Sequence, residues 1–378
     1  MISIRQVHPV FVGEVSGADL RQPLNEADVA AIEAGMDRYA VLIFRDQNIT
    51  DDQQMAFTQN FGEIENAKGG NITKDNEYRL KKGMVDVSNL DKDGKPLPRD
   101  DRRRMFNLGN RLWHSDSSFR AKPAKYSILS ARTVASQGGN TEFADMRAAY
   151  DTLDDATRAS IEDLVCEHSL IYSRGSMGFS DLTEDEKAMM KPVRQRLVRT
   201  HPVTGRKSLY LSSHAGQIVG WLVPESRDFL RDLNEHATQR ELVYTHRWRQ
   251  YDLVVWDNRQ TMHRVRRFDE TQPRDMRRTT VAGEAMTAAQ AERPSFAGGR
   301  LDVRIRSGAN SGRDGVPVNN RKKGGRAPAC LIVQSCQPDK AETLRARRAN
   351  NRKEQGETTR EFLTLLCMNA DGPVARRW

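Results

Sequence analysis

Trp113-His114-Ser115-Asp116 decides how the rest of this chain is read. On an extended backbone successive side chains alternate between faces, so a His and an Asp two residues apart point the same way and can grip one metal ion together. A third ligand has to come from elsewhere. His263 is the expected source, in Val254-Val255-Trp256-Asp257-Asn258-Arg259-Gln260-Thr261-Met262-His263, because it follows a short apolar run with the character of a buried strand. Two imidazoles and one carboxylate on one face, with the opposite face free, make the ligand set of non-haem Fe(II) oxygenases. Taken alone, a His-x-Asp pair is weak evidence, since polar residues at that spacing also decorate exposed strand edges. Its weight comes from its company.

That company includes Arg274 and Arg278, in Pro273-Arg274-Asp275-Met276-Arg277-Arg278-Thr279-Thr280-Val281. If the segment is extended, Arg274, Met276 and Arg278 share a face, and two guanidiniums could meet anionic ligands near the metal by bidentate pairing. Overall charge gives no such direction. Of the formal net charge of +9, all lies in Thr287–Trp378, with 18 Lys and Arg against 9 Asp and Glu, while residues 1–286 hold 42 of each sign.

Around these motifs the chain is punctuated by short strands and turns. Asn25 to Tyr39 carries Ala and Ile at helical spacing and feeds the apolar strand Ala40-Val41-Leu42-Ile43-Phe44. Thr50-Asp51-Asp52 reads as the start of a second helix that stops at Gly62. Residues 63–108 are polar and weakly patterned, an excursion able to fold over a pocket. Tyr126 to Val134 alternates as a strand, and Ser136-Gln137-Gly138-Gly139-Asn140 turns into Thr141-Glu142-Phe143-Ala144-Asp145, with a helix from Met146. Pro202-Val203-Thr204-Gly205 reads as a hairpin loop between two β-rich runs, and Val223 to Ala237 as a helix with Pro224 in its first turn. The expected fold is mainly β with inserted helices (α+β), built on a β-sandwich or jelly-roll core.

Two units are expected: a folded domain over 1–286 and a basic, low-order tail over 287–378, where Gly, Arg, Asn, Ser and Pro dominate. The tail's clusters Arg321-Lys322-Lys323 and Arg345-Ala346-Arg347-Arg348 offer a nucleic-acid-binding alternative, but few aromatics interleave to stack on bases. Text read in a wrong frame of a GC-rich gene would look similar. Four cysteines, Cys166 in the body and Cys330, Cys336 and Cys367 in the tail, are too scattered for a disulfide framework or a CxxC zinc site. With neither a signal-peptide h-region at the start nor an apolar run long enough to cross a bilayer, a cytoplasmic location and no membrane partner are expected.

The motifs, in their order and separation, resemble the taurine/2,4-dichlorophenoxyacetate group of Fe(II)- and 2-oxoglutarate-dependent dioxygenases. The carrying text is Leu112-Trp113-His114-Ser115-Asp116-Ser117-Ser118-Phe119, then Gly138-Gly139-Asn140-Thr141-Glu142-Phe143-Ala144-Asp145-Met146-Arg147-Ala148-Ala149-Tyr150, then Val255-Trp256-Asp257-Asn258-Arg259, His263 and the Arg274/Arg278 pair. The likeness runs from about residue 5 to residue 286 and is strongest to the α-type 2,4-dichlorophenoxyacetate dioxygenases.

That resemblance implies a double-stranded β-helix, Fe(II) held by His114, Asp116 and His263, and 2-oxoglutarate and O₂ as co-substrates. It gives Thr141 and Arg274 to the distal carboxylate of 2-oxoglutarate, and Arg278, Asn110, His214 and His201 to a small carboxylic acid substrate. Arg278 is expected to pair chiefly with that substrate's anionic group. The implied reaction hydroxylates the carbon beside the ether oxygen of an aryloxyacetate, giving a phenol, glyoxylate, succinate and CO₂. Sister activities on taurine, an alkylsulfate or a phenolic or cinnamate-like acid share the chemistry. A homo-oligomer is expected by the same resemblance. Trp113 and Trp256 read as packing that holds the ligand-bearing strands.

Overall fold

The structure, a computed structural model, describes residues 2–65 and 72–290. A seven-stranded sheet organises it, in the order Ser3–Gln6, Gly13–Ser16, Val41–Phe44, Leu253–Asp257, Tyr126–Thr133, Asp275–Thr280, Val85–Asp86. Neighbours are antiparallel except Gly13–Ser16, which runs parallel to Val41–Phe44. A second sheet pairs Thr141–Asp145 with Val243–His246 on one side and Thr261–Val265 on the other. A third holds Ala215–Ile218, Val165–His168 and Val193–Arg196, and Val198–Thr200 pairs with Lys207–Leu209 in the expected hairpin. Mainly strands with inserted helices is therefore the observed class.

The all-apolar runs are explained by burial on both faces of the large sheet. Val41 and Ile43 join Val254, Trp256, Leu129 and Phe143 in the core towards the second sheet. Leu42 and Phe44 face the other way, into a cluster with Ile32 and Met36 of the helix Glu26–Tyr39 and Phe57 of the helix Asp51–Gln59. Both helices start where the sequence places them. Asn25 accepts from the Asp28 amide, and Thr50 and Gln53 form a reciprocal capping box; each cap contributes on the order of 1 kcal/mol.

The polar excursion before His114 has more structure than its pattern suggests. Val85–Asp86 adds an edge strand beside Arg277 and Arg278, and Arg79 pins it by bonding Asp86 at 2.9 Å and Asp275 at 2.8 Å. A helix follows over Arg102–Asn107, capped by Asp101, and then a 3₁₀ turn over Leu108–Arg111. Two-residue strands and ion pairs leave no periodicity to read, which is why sequence registers the segment only as an excursion.

The described residues past 286 pack against the body. Thr287 Oγ1 accepts from the Arg196 amide at 3.1 Å, while Gln290 accepts from the Arg194 amide at 2.9 Å and donates back to the Arg194 carbonyl at 3.0 Å. These side chains stand in for a neighbouring strand along the edge Val193–Arg196. Side-chain mimicry of this kind carries no hydrophobic period for the sequence to show. The two basic clusters and three tail cysteines lie outside the described residues. Among the described residues no helix is long and apolar enough to cross a membrane.

Candidate active site

His114 and His263 meet because their backbones pair. The amide of each donates to the carbonyl of the other, at 3.0 and 2.8 Å, so the His-x-Asp segment docks against the strand Thr261–Val265. The imidazole centroids then lie 4.2 Å apart. His114 Nε2 is 3.9 Å and His263 Nε2 3.6 Å from the Asp116 carboxylate, and one donor atom from each residue falls within 4.8 Å of the other two. Ser117, at φ 55°, turns left-handed immediately after Asp116 and ends the extended run. A non-glycine residue there costs about 1–2 kcal/mol, strain spent beside the ligands.

Second contacts fix the donors. His114 Nδ1 lies 2.8 Å from the Leu112 carbonyl, which assigns the ring proton to Nδ1 and leaves the Nε2 lone pair facing the site. Ser127 Oγ donates to Asp116 Oδ2 at 2.7 Å, and Arg278 Nη1 donates to Oδ1. Asn258 accepts the Asp116 amide at 3.0 Å and the Trp256 indole N–H at 3.1 Å, and donates to Ser127 Oγ at 2.9 Å. One asparagine thus holds the ligand's backbone and the hydroxyl that orients its carboxylate. Asn258→Ala should weaken Fe(II) or Mn(II) binding about 10- to 100-fold, measured as a dissociation constant, because both supports go together.

Protonation suits a divalent cation. Burial pushes the Asp116 carboxyl up, but the Arg278 guanidinium, with Ser127 donating, outweighs it and holds it below the usual carboxylate value. Burial lowers the proton affinity of His114, and of His263 well below the usual imidazole value. At neutral pH the group is one carboxylate and two neutral imidazoles, the state metal ligation requires. Two nitrogens and one oxygen, crowded on one side of a pocket, fit Fe(II) with positions left for small ligands.

Arg274, which lines the pocket with His114 and His263, is 4% exposed and has no carboxylate partner among the described residues. Its guanidinium reaches only the Val87 and Gly139 carbonyls, at 3.3 and 3.4 Å, and lies over the Phe268 ring. Burial pushes it down to about 10, so it stays charged at neutral pH. Thr141, 3% exposed and also lining the pocket, accepts the Trp248 indole N–H at 2.9 Å, which frees its own proton to donate. A charged donor and a hydroxyl donor, both without an anion, form a carboxylate receptor.

The chain matches the model of the family described as taurine catabolism dioxygenase TauD, TfdA family, over residues 3–280. It belongs to that family. It is 46% identical over 283 residues to the alpha-ketoglutarate-dependent 2,4-dichlorophenoxyacetate dioxygenase of Cupriavidus pinatubonensis, covering 74% of this chain and 97% of the relative. The (S)-phenoxypropionate/alpha-ketoglutarate-dioxygenase of Delftia acidovorans is 38% identical over 275 residues, 70% of this chain and 89% of that one. Among solved structures, AAD-2 in complex with Mn(II) and N-oxalylglycine is 67% identical with a TM-score of 0.75, over 76% of this chain and 99% of that one. This TauD/TfdA chain is a 2-oxoglutarate-dependent dioxygenase, as its sequence led one to expect, and His114, Asp116 and His263 are placed so that they could hold its metal.

The expected substrate residues fare unevenly. Asn110 lines the pocket. His214 is buried 6.2 Å ring to ring from His114, with Nδ1 2.8 Å from Ser173 Oγ. Arg278 also lines the pocket, but it bonds Asp116, so the expectation that it serves chiefly the substrate's anion is displaced by an ionised carboxylate already within reach. His201 is not brought to the site. It accepts the Thr204 amide within its hairpin loop and lies 3.5 Å from Asp257 and 3.7 Å from Asp37, a buried structural role.

Residues the sequence left without a role do much of the holding. Asn89 accepts the Arg274 amide at 2.9 Å and donates to the Glu270 and Gln272 carbonyls at 3.0 and 2.9 Å, fixing the turn that presents Arg274. Glu270 in turn pairs with Arg104 and Arg111, and all three line the pocket. For Asn258 a signal existed, since it lies two residues past Trp256 in the quoted motif. For Asn89, inside the unpatterned excursion, there was none.

Proposed function

We propose that this dioxygenase hydroxylates the carbon between the ether oxygen and the carboxylate of aryloxyalkanoic acids such as 2,4-dichlorophenoxyacetate. One oxygen atom of O₂ enters that carbon and the other enters succinate as 2-oxoglutarate loses CO₂. The hydroxylated ether is a hemiacetal, which separates into a phenol and, from an acetate side chain, glyoxylate. The single observation that carries the reading is the His114–Asp116–His263 set, whose two imidazoles line the same pocket as Arg274, a buried guanidinium that lacks an anion among the described residues. Relatives named for 2,4-dichlorophenoxyacetate and phenoxypropionate, matched over most of their length, support the substrate class.

Bound Fe(II) would be held by His114, Asp116 and His263 and supplies activation of O₂ and the oxidising power for an unactivated C–H bond. The protein's own part is positioning. Arg274 and Thr141 hold the distal carboxylate of 2-oxoglutarate, with Asn89 and Trp248 setting their orientation. Asn110 and His214 stand on the substrate side. We read the two facing sheets as a double-stranded β-helix, whose interior carries these groups.

The test is stoichiometric. Protein loaded anaerobically with Fe(II), 2-oxoglutarate and ascorbate is exposed to air with or without 2,4-dichlorophenoxyacetate. Matched succinate and phenol support the reading. Succinate without phenol redirects the search to the sister acids, and no succinate at all counts against the enzyme itself.

In the same reading the catalytic unit ends near Gln290 and assembles as a homo-oligomer, which light scattering checks. A chain ending at Gln290 should keep full turnover. One ending at Met286 should melt lower, because the Arg194 and Arg196 amides lose their partners, each worth about 1 kcal/mol.

A further inference from the structure

A second cleft, of about 430 Å³, opens between the hairpin strand Val198–Thr200, residues 123–125 and residues 283–287. It shares no lining residue with the pocket that holds His114 and His263. Most of the charges in its walls are answered. Arg259 pairs with Asp257 at 2.6 Å, Arg196 with Asp163 at 3.1 Å, Glu162 with Lys207 at 2.5 Å, and Lys125 more loosely with Glu33 at 3.7 Å. Two are not. Among the described residues, Arg199 has no acid within ion-pair distance, and Glu284, which is exposed, pairs with no base.

Arg199 stands opposite Ser208 in the hairpin, and its guanidinium lies 4.6 Å from the Tyr210 ring centroid. Its Nη1 is buried without a hydrogen-bond partner. Tyr210 and Asp257 offset the charge in part, but Asp257 is already engaged by Arg259 and by Gln260 Nε2 at 2.8 Å. Burial lowers the pKa of the group, yet a guanidinium stays charged at neutral pH. A cation drawn out of water and left without an anion costs stability, so its retention on the wall of an open cleft points to a ligand that answers it. The same features mark Arg274, which lies 5.2 Å from the Phe268 ring centroid, lacks an acid and lines a pocket. What differs is the company. The catalytic pocket is walled by Leu97, Leu108, Leu129 and Phe268, whereas polar groups dominate the cleft, Thr200 and Thr287 among them. Such walls suit a compact oxyanion and give an aryl ring little to lie against.

We propose that this cleft is a binding site for a small oxyanion, a carboxylate or phosphate group held by Arg199, separate from the catalytic pocket and accessible while that pocket is full. Glu284 limits its affinity, because a carboxylate lining the same cleft repels the ligand. The two sources of such a group, a free carboxylic acid and a phosphorylated molecule, differ in charge and shape and are told apart by their affinities.

The experiment is calorimetric titration of inorganic phosphate, and separately of acetate, at constant ionic strength into full-length protein saturated with Mn(II) and N-oxalylglycine and freed of unbound metal. With the catalytic pocket filled, one anion per chain should bind with a dissociation constant on the order of 1 mM. Tighter phosphate identifies a phosphorylated ligand and tighter acetate a carboxylic acid, and either supports the site. Arg199→Met should weaken the better-bound anion about tenfold or more while N-oxalylglycine is held as before. Arg199→Lys, which keeps the charge without the fork, should fall between the two. Glu284→Lys, made at an exposed position, should tighten binding about 3- to 10-fold by exchanging repulsion for attraction. Absence of saturable binding by either anion in the parent overturns the proposal, as does undiminished affinity in Arg199→Met. Should Arg199→Met fail to fold, unchanged or weaker binding in Glu284→Lys overturns it equally.

Discussion

Asp116→Ala should lower Fe(II)-dependent succinate formation about a thousandfold or more while the protein still unfolds cooperatively. Three effects add. The site loses its only anionic donor, the metal keeps two neutral imidazoles, and Arg278, whose charge Asp116 now answers, is left facing the cation. Loss of about 4 kcal/mol of transition-state stabilisation is an ordinary magnitude for a metal centre and corresponds to that factor. The fold should survive, because Arg278 is 17% exposed in its side chain and can turn to water once unpaired. Asp116→Asn separates charge from shape: the amide can still accept from Ser127, yet it neither neutralises Arg278 nor binds a divalent ion strongly. Metal content by atomic absorption and succinate by chromatography decide the matter. Parental turnover in either variant would sink the ligand assignment.

What could be read in the chain follows from how many residues each feature recruits. Helix and strand assignments around Asn25–Phe44, Tyr126–Asp145 and Val223–Ala237 were legible because each rests on many apolar positions repeating at one period. The His-x-Asp pair was legible because an extended backbone fixes which side chains share a face, and the Arg274/Arg278 pair for the same reason, even though a bulge falls between Asp275 and Met276. Isolated contacts between distant segments were not. Ser127 and Asn89 act through hydrogen bonds to segments more than a hundred residues away, and no local pattern marks them. His201 shows the opposite failure. A position matched by resemblance was given a ligand role, while the fold uses that imidazole to hold its own hairpin against Asp257.

Arg274→Ala should raise the 2-oxoglutarate concentration needed for half-maximal turnover about 100-fold and change the requirement for the aryloxy acid far less. The guanidinium has only distant carbonyls and the Phe268 ring as partners, so its charge is uncompensated until a carboxylate arrives. A charge-assisted hydrogen bond contributes about 1.5–3 kcal/mol, and the change sought lies near the upper end because the pair forms out of water. Removing an unanswered buried cation should also leave the melting temperature of the ligand-free protein unchanged or higher, whereas 2-oxoglutarate should stabilise the variant less than the parent. Thr141→Val is the smaller partner experiment: the Trp248 indole loses its acceptor and the co-substrate loses one donor, so affinity should fall about tenfold. Steady-state kinetics with each substrate varied in turn separates the possibilities. A rise confined to the aryloxy acid would mean that Arg274 serves the substrate and not the co-substrate.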